Sequence, residues 1–501
     1  MACRCSTVNW LRYRSTPLFI LACGLLVVAF PACQSAKQRH PLTGADVVLV
    51  VVDTLRADHL GLAGYPWPTS PFLDRLASES VVFTDVAAPS SYTRESIASL
   101  FSGAWPSCAG AVGWDATPER AQVTLAETFR RAGYATAMVT LTTMLGHPAF
   151  ARGFDRVEHL ASQWGVSRAS PKLTQRALDL WNEPNRKPVF LYLHYLDPHG
   201  PYDPPPAVLQ KFPQASDLVL DLYRDVRPHL PELSAQGFDR KDPRFRELVR
   251  RYDAEIGHTD GALEQLFEGL RGHARGRPLL VIVTADHGEE FLEHDFVEHA
   301  WTLYEEAVRV PLLWWSPGVL SPARSDQPAS LVDVYPTLVR LLRLEEPPLL
   351  PHAGGRSLFE ITPHEVRPAN LQGRARWAEL GIAERNVLRA LWLDGWKYTA
   401  ARRWLEPAER SRSSQIEETL RAQRTVPSLP SPEVVAREEL FHLPSDPTEA
   451  HDRKSDAVER LAQMRALAAQ QEQRCPLQSR AASTPLSLAP HEVEALRQLG
   501  Y

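Results

Sequence analysis

Three short segments, far apart in the chain, carry the side chains best suited to chemistry. VVVDTLRADHLG ends an apolar run at Asp53, TADHGEEF ends another at Asp286 and His287, and SYTRESIASLFSG puts Thr93 in a loop that opens a helix. Two carboxylates and an imidazole offer mixed oxygen and nitrogen donors to a divalent cation. A threonine hydroxyl is a poor nucleophile at neutral pH, and a metal ion beside it favours its alkoxide. Each residue alone has a plain structural reading, since an aspartate after a strand commonly closes a turn or caps a helix. Together the two acids and the imidazole predict a metal site of Asp53, Asp286 and His287.

Such residues need a scaffold that delivers them to one place. Val47 to Val52 is an unbroken run of β-branched residues and leucine, as in a strand buried on both faces. Similar runs follow at 135–139, 189–193, 279–284 and 310–315, with helical patterns at 71–79, 96–101, 125–132 and 252–270. Strands alternating with amphipathic helices predict an α/β fold with a mostly parallel central sheet flanked by helices. In such a sheet, functional groups gather beyond the carboxyl ends of the strands, where Asp53 and Asp286-His287 fall.

The chain has 501 residues, which at ~150 residues per domain predicts two or three domains. Its 44% hydrophobic and 23% charged content is that of a globular protein, and a formal charge of -5 gives no basic footprint for nucleic acid. Arg4, Arg12 and Arg14 precede the apolar PLFILACGLLVVAFP, and Phe30-Pro31-Ala32-Cys33 follows. This pattern predicts a signal peptide over residues 1–33, export to the cell envelope, and a membrane tether if Cys33 is lipidated. Four of the six cysteines lie in this leader, so Cys108 and Cys475 allow at most one bridge in the mature body. The catalytic domain is expected over 44–345. Beyond the proline-rich 347–351 we expect a smaller α+β subdomain over 346–501, with one strand-like run at 388–398 and a flexible loop at about 402–432. The proline- and charge-rich 203–244 segment reads equally as a lid over the substrate or as a plain surface loop. Nothing in the sequence indicates an oligomeric state.

The motifs quoted above, with TSPFLDRLASESVVFTDVAAPSSYT, HAWTLYEEAVRVPLL, FLYLHYLDPHGPYDPP, YDAEIGHTDGALEQLF, LVDVYPTLVRLL, DGWKY, ELFHLPSDPTEA and the terminal HEVEALRQLGY, resemble the sulfatase family of the alkaline phosphatase superfamily. The matches follow the family's order over nearly the whole mature chain. The departure is at the nucleophile. Family members usually carry Cys or Ser in C/S-x-P-S-R before a helix ending S-L-L-T-G, and that residue is oxidised to formylglycine. Counting back from Ser99-Leu100-Phe101-Ser102-Gly103 gives Thr93, with Glu95 and Ile97 where Pro and Arg are expected, so no formylglycine is expected. Asp53-Thr54 stands where an Asp-Asp pair is frequent, and the Lys and His that hold sulfate are absent after Gly133-Tyr134.

The resemblance implies further site residues. His199 matches a position that faces the substrate, and His299 resembles a histidine that reaches the anion or a second metal. His194, Lys397 and Arg94 are weaker substrate-binding candidates, with readings as a strand residue, an exposed lysine and a helix-start residue. Tyr304, Glu305 and Glu306 read as a helix leading into the strand at 310–315, with Arg309 paired to one of the acids. Trp314, Trp315, Trp392 and Trp396 read as core. Compared with calcium-dependent relatives the site has a histidine and fewer carboxylates, which favours manganese or zinc over calcium or magnesium. A sulfated threonine lacks the second hydroxyl by which formylglycine hydrate expels sulfate, whereas a phosphothreonine is open to in-line attack. The resemblance therefore implies a metal-dependent hydrolase or phosphoryl transferase acting on an anionic ester, with Thr93 at the nucleophile position and as a further metal ligand. The alternative is an inactive relative that binds an anionic envelope component.

Overall fold

The computed structural model describes residues 42–476 except 114–116, 119–121, 161–167, 185, 273–274, 346–353, 363–364, 383–385 and 404–437. The expected leader, Cys33, the 347–351 boundary, most of the 402–432 loop and the terminal HEVEALRQLGY lie outside the described residues.

Asp46–Val52 (β1) is central to an eight-stranded sheet, and every one of its residues is buried, as apolar sequence without alternation requires. The other strands are Val81–Phe83 (β2), Ala135–Thr140 (β3), Arg156–His159 (β4), Val189–Tyr195 (β5), Leu279–Ala285 (β6), Leu312–Trp315 (β7) and Ala323–Ser325 (β8). They lie in the order β8-β2-β7-β6-β1-β5-β3-β4. The sheet is mostly parallel, as expected, but β7 runs antiparallel to both β2 and β6.

Helices Pro71–Ala77 (α1), Thr93–Ser102 (α2), Leu125–Arg131 (α3), Ser170–Asn182 (α4), Pro243–Gly272 (α5) and Val334–Leu342 (α6) flank it. The two faces are read from neighbouring positions on β5. Tyr195 hydrogen-bonds Thr174 of α4 at 2.8 Å, whereas the Tyr192 ring meets Phe101 of α2 edge-on at 5.0 Å. Since alternate strand residues point to opposite faces, α4 and α2 cover opposite sides. Start signals act locally: Thr124 and Glu127 form a capping box on α3.

A second sheet is antiparallel: Arg376–Ile382 (β9), Asn386–Leu393 (β10), Trp396–Arg403 (β11) and Glu439–His442 (β12). Residues 388–398, one run by sequence, form a hairpin. Its two-residue turn puts Asp394 at φ 51° and Gly395 at φ 78°, the left-handed pair that such a turn needs. Val458–Arg474 (α7) packs on this sheet, and Cys475 after it is bonded to Cys108. Trp314, Trp315 and Trp392 are buried as expected. The Arg309 reading is corrected: the helix covers only Glu305–Val308, Arg309 has already left it, and its guanidinium donates to the Thr84 carbonyl. Glu305 and Glu306 are taken instead by Lys397 and His294.

Candidate metal centre and active site

β1 and β6 are adjacent and pair up to Val52 and Ala285, so Asp53 and Asp286 leave the sheet side by side. Thr93 is the first residue of α2, and the Ser96 hydroxyl donates to the Asp286 carbonyl at 2.7 Å, tying that helix to the end of β6. Asp286 Oδ1 accepts the backbone N–H groups of Thr54 at 3.3 Å and His287 at 2.9 Å. Asp53 Oδ2 lies 3.2 Å from His194 Nε2. The remaining oxygens, Asp53 Oδ1 and Asp286 Oδ2, are buried with no hydrogen-bond donor.

His287 Nδ1 donates to the Gly288 carbonyl at 2.9 Å, which leaves the ring's lone pair on Nε2. That nitrogen is 3.7 Å from Asp53 Oδ1, 3.4 Å from Asp286 Oδ2 and 3.1 Å from Thr93 Oγ1. Ligand atoms of Asp53, Asp286 and His287 all fall within 4.8 Å of one another. Lone pairs facing one another in a dry corner repel unless a cation shares them. The donor set therefore fits a divalent metal ion.

The electrostatics agree. Burial opposes ionisation of Asp53, but the His194 hydrogen bond and the imidazoles of His199, His194 and His287 outweigh it and hold this carboxyl below the usual range. Asp286 is pushed up, by burial first and by the charge of Asp53 second. Burial works against a proton on His287, yet Asp286 and Asp53 hold its pKa above the imidazole range. A field that draws a proton to this nitrogen also draws a metal cation.

His199 and His299 reach the same corner. The ring centroids of His287 and His299 are 4.5 Å apart, and those of His199 and His299 are 5.0 Å apart. His199 Nδ1 donates to the Gly200 carbonyl at 2.7 Å, and His299 Nδ1 faces Glu289 Oε1 at 2.9 Å. His299 is held well below the imidazole range by burial and by the neighbouring His287 and His199. Glu298 and Ala300 on either side of it sit at φ 72° and 63°, backbone strain of the kind found at functional loops. The Ala300 N–H holds that loop against the segment leading into α2 by donating to the Ser91 carbonyl at 3.0 Å. The 203–244 segment is a string of short helices, including Leu222–Val226 and Leu230–Ala235. It leans on both histidine loops: Tyr223 packs against Gly200, and Arg227 pairs with Glu298 at 2.9 Å.

The weaker candidates scatter. Arg94 is buried, its guanidinium over the Phe150 ring at 5.7 Å. His194 lies behind Asp53, between it and Tyr192. Lys397 is buried between Glu305 at 3.0 Å and Glu449 at 2.8 Å, its charge engaged by two acids. Two residues not singled out from sequence, Glu289 and Glu95, also shape the site. Glu289 accepts from Tyr202 at 3.0 Å as well as facing His299; its place just after Asp286-His287-Gly288 was a usable signal. Glu95 accepts from Ser90 Oγ and from the backbone N–H groups of Gly113 and Gly381, and burial pushes it up to about 7.

Residues 45–344 match the sulfatase family model. The chain is 22% identical over 378 residues to a sulfatase of Formosa agariphila, covering 64% of this chain and 74% of the relative. It is 23% identical over 356 residues to the uncharacterized sulfatase YidJ of Escherichia coli, 61% of this chain and 69% of that one. The solved phosphonate monoester hydrolase of Agrobacterium radiobacter has the same fold, with a TM-score of 0.65 at 18% identity over 86% of this chain and 96% of that one. With more than half its length matched, this chain belongs to the sulfatase family and is a hydrolase of the alkaline phosphatase superfamily.

Proposed function

We propose that this protein is a metal-assisted hydrolase or transferase of anionic esters, in which Thr93 is the nucleophile and a phosphorus ester is the preferred substrate. The reading is carried by the approach of Thr93 Oγ1 to His287 Nε2, 3.1 Å, beside two carboxylate oxygens without donors. Asp53, Asp286 and His287 would hold the cation, with manganese or zinc favoured, and it would supply charge neutralisation and a lowered hydroxyl pKa. Thr93 stands at the first turn of α2, where the helix's unpaired N–H groups and dipole also favour negative charge. Its oxygen forms the bond to phosphorus in line with the departing ester oxygen, whose bond breaks. His199 and His299 each turn Nδ1 to the protein, so Nε2 is the nitrogen left to take up the Thr93 hydroxyl proton as the oxygen attacks and to pass it to the departing oxygen. In the second half, water or another alcohol attacks the phosphothreonine and returns the proton, restoring Thr93. A sulfated Thr93 would lack an equivalent exit, which is why phosphorus is preferred.

The disulfide between Cys108 and Cys475 supports the exported setting expected from the leader, since such bonds persist in oxidising compartments. The deciding experiment offers bis-p-nitrophenyl phosphate and p-nitrophenyl sulfate to the protein loaded with manganese or zinc. The expected result is phosphodiester turnover that Thr93→Ala abolishes. Sulfate turnover lost in the same variant would reverse the preference. Absence of both, in protein that binds anions but no metal, would favour the inactive anion-binding alternative.

A further inference from the structure

Asp53 is the ligand candidate with the least backbone support. Asp286 Oδ1 is clamped by two backbone N–H groups, whereas Asp53 Oδ2 has the His194 ring at 3.2 Å. The next residue is no second acid: Thr54, at φ 56°, contributes its backbone N–H to Asp286. Which oxygen of Asp53 faces His287 therefore depends on His194.

The strand register explains how His194 comes to be there. On β5, Tyr192 and His194 are two residues apart and share the face turned to α2. Their partners on β1 are Leu49 and Val51, and Asp53 is the next residue of that row. His194 Nδ1 lies 2.8 Å from the Tyr192 hydroxyl. Tyr192 is wholly buried, and burial with the nearby Asp286 and Asp53 keeps its phenol protonated. A protonated hydroxyl donates to Nδ1, which puts the imidazole proton on Nε2, where it is given to Asp53 Oδ2. With its proton committed, Nε2 has no lone pair for a metal.

We propose that Tyr192 and His194 form a buried positioning relay that selects the tautomer donating to Asp53 Oδ2 and so presents Asp53 Oδ1 to the cation. Neither residue touches the cation. Without the phenol, Nδ1 is free to take the proton; Nε2 and Oδ2 would then meet lone pair to lone pair, and the carboxylate would rest out of alignment until a bound metal ion draws it back, at a cost in affinity. Partners one layer behind a ligand typically contribute ~10–100-fold in metal affinity.

The relay rests on the metal-assisted reading above, and its test is binding. Metal-free protein, wild type and variant, is titrated with zinc against a competing chelator, the thermal melt of each metal-free form reporting folding, and each is then loaded with cobalt for its visible spectrum. Expected are one metal per chain throughout, zinc weakened several-fold in Tyr192→Phe and ~10–100-fold in His194→Leu, and the wild-type cobalt spectrum retained at saturation. Tyr192→Phe binding zinc as tightly as wild type overturns the relay, and that variant, which loses one hydroxyl, decides the matter if His194→Leu does not fold. A changed cobalt spectrum in His194→Leu overturns it too, by making His194 a ligand. If wild type itself binds no zinc, the metal-assisted reading falls and the relay with it; if wild type and both variants bind alike, the relay alone falls.

Discussion

Two buried clusters of charge in this molecule are put together in opposite ways. Where the C-terminal sheet meets the main body, Lys397 lies between Glu305 and Glu449, Trp392 Nε1 donates to Glu305 at 2.9 Å, and the Glu305 N–H donates to Glu449. There each anion meets a cation or a donor supplied by the chain. At the ends of β1 and β6, two acids and an imidazole instead turn oxygens and a nitrogen lone pair towards one another, with two oxygens lacking any donor. Charge neutralised from within holds elements together; charge left for something from outside is poised for chemistry.

The sharpest way to break the contrast is to neutralise one member on each side. Asp286→Asn keeps the Oδ1 acceptor but removes the charge. It should lower turnover by about 10³-fold or more and leave the metal-free protein as stable as wild type or up to ~1 kcal/mol more so, as read by kinetics and by urea unfolding in chelator. If stability drops sharply instead, the metal corner is structural. Lys397→Met should do the reverse: two buried carboxylates lose their cation at a cost of ~3–5 kcal/mol. Unchanged unfolding with impaired substrate binding would return Lys397 to the substrate. Cys108→Ser should cost ~2–4 kcal/mol under oxidising conditions with the KM of the surviving enzyme unaltered.

The smallest effect belongs to Glu95, whose pKa burial raises from 4.5 to about 7. Between these values the unfolded chain ionises freely while the folded one resists, so stability falls as pH rises and levels off above about 7. Glu95→Gln should flatten that part of the melting-temperature profile, and parallel profiles for the two proteins would refute the assignment.

How much of this was legible depended on whether position or partnership carried the information. Asp53, Asp286 and His287 were readable because apolar runs stop at them, and Thr93 because a helix begins there. His199 and His299 came through motif context. His194 and Lys397 entered only as weaker substrate-binding candidates, beside readings as a strand residue and an exposed lysine, because their neighbours are set by strand register and by the antiparallel sheet, which a linear reading does not contain. Residues 388–398 show the same limit: Asp394-Gly395 is a turn signal, yet strand-forming residues on both sides hid it. Glu95 occupies the helix start as any acid might, and nothing nearby in sequence announces that Gly381 will be its partner.

The bond between Cys108 and Cys475 spans a sequence separation of 367 and so encloses most of the polypeptide in one covalent loop. A protease that cuts this loop once, wherever it cuts, liberates nothing: the two pieces separate on a denaturing gel only after a reductant is added.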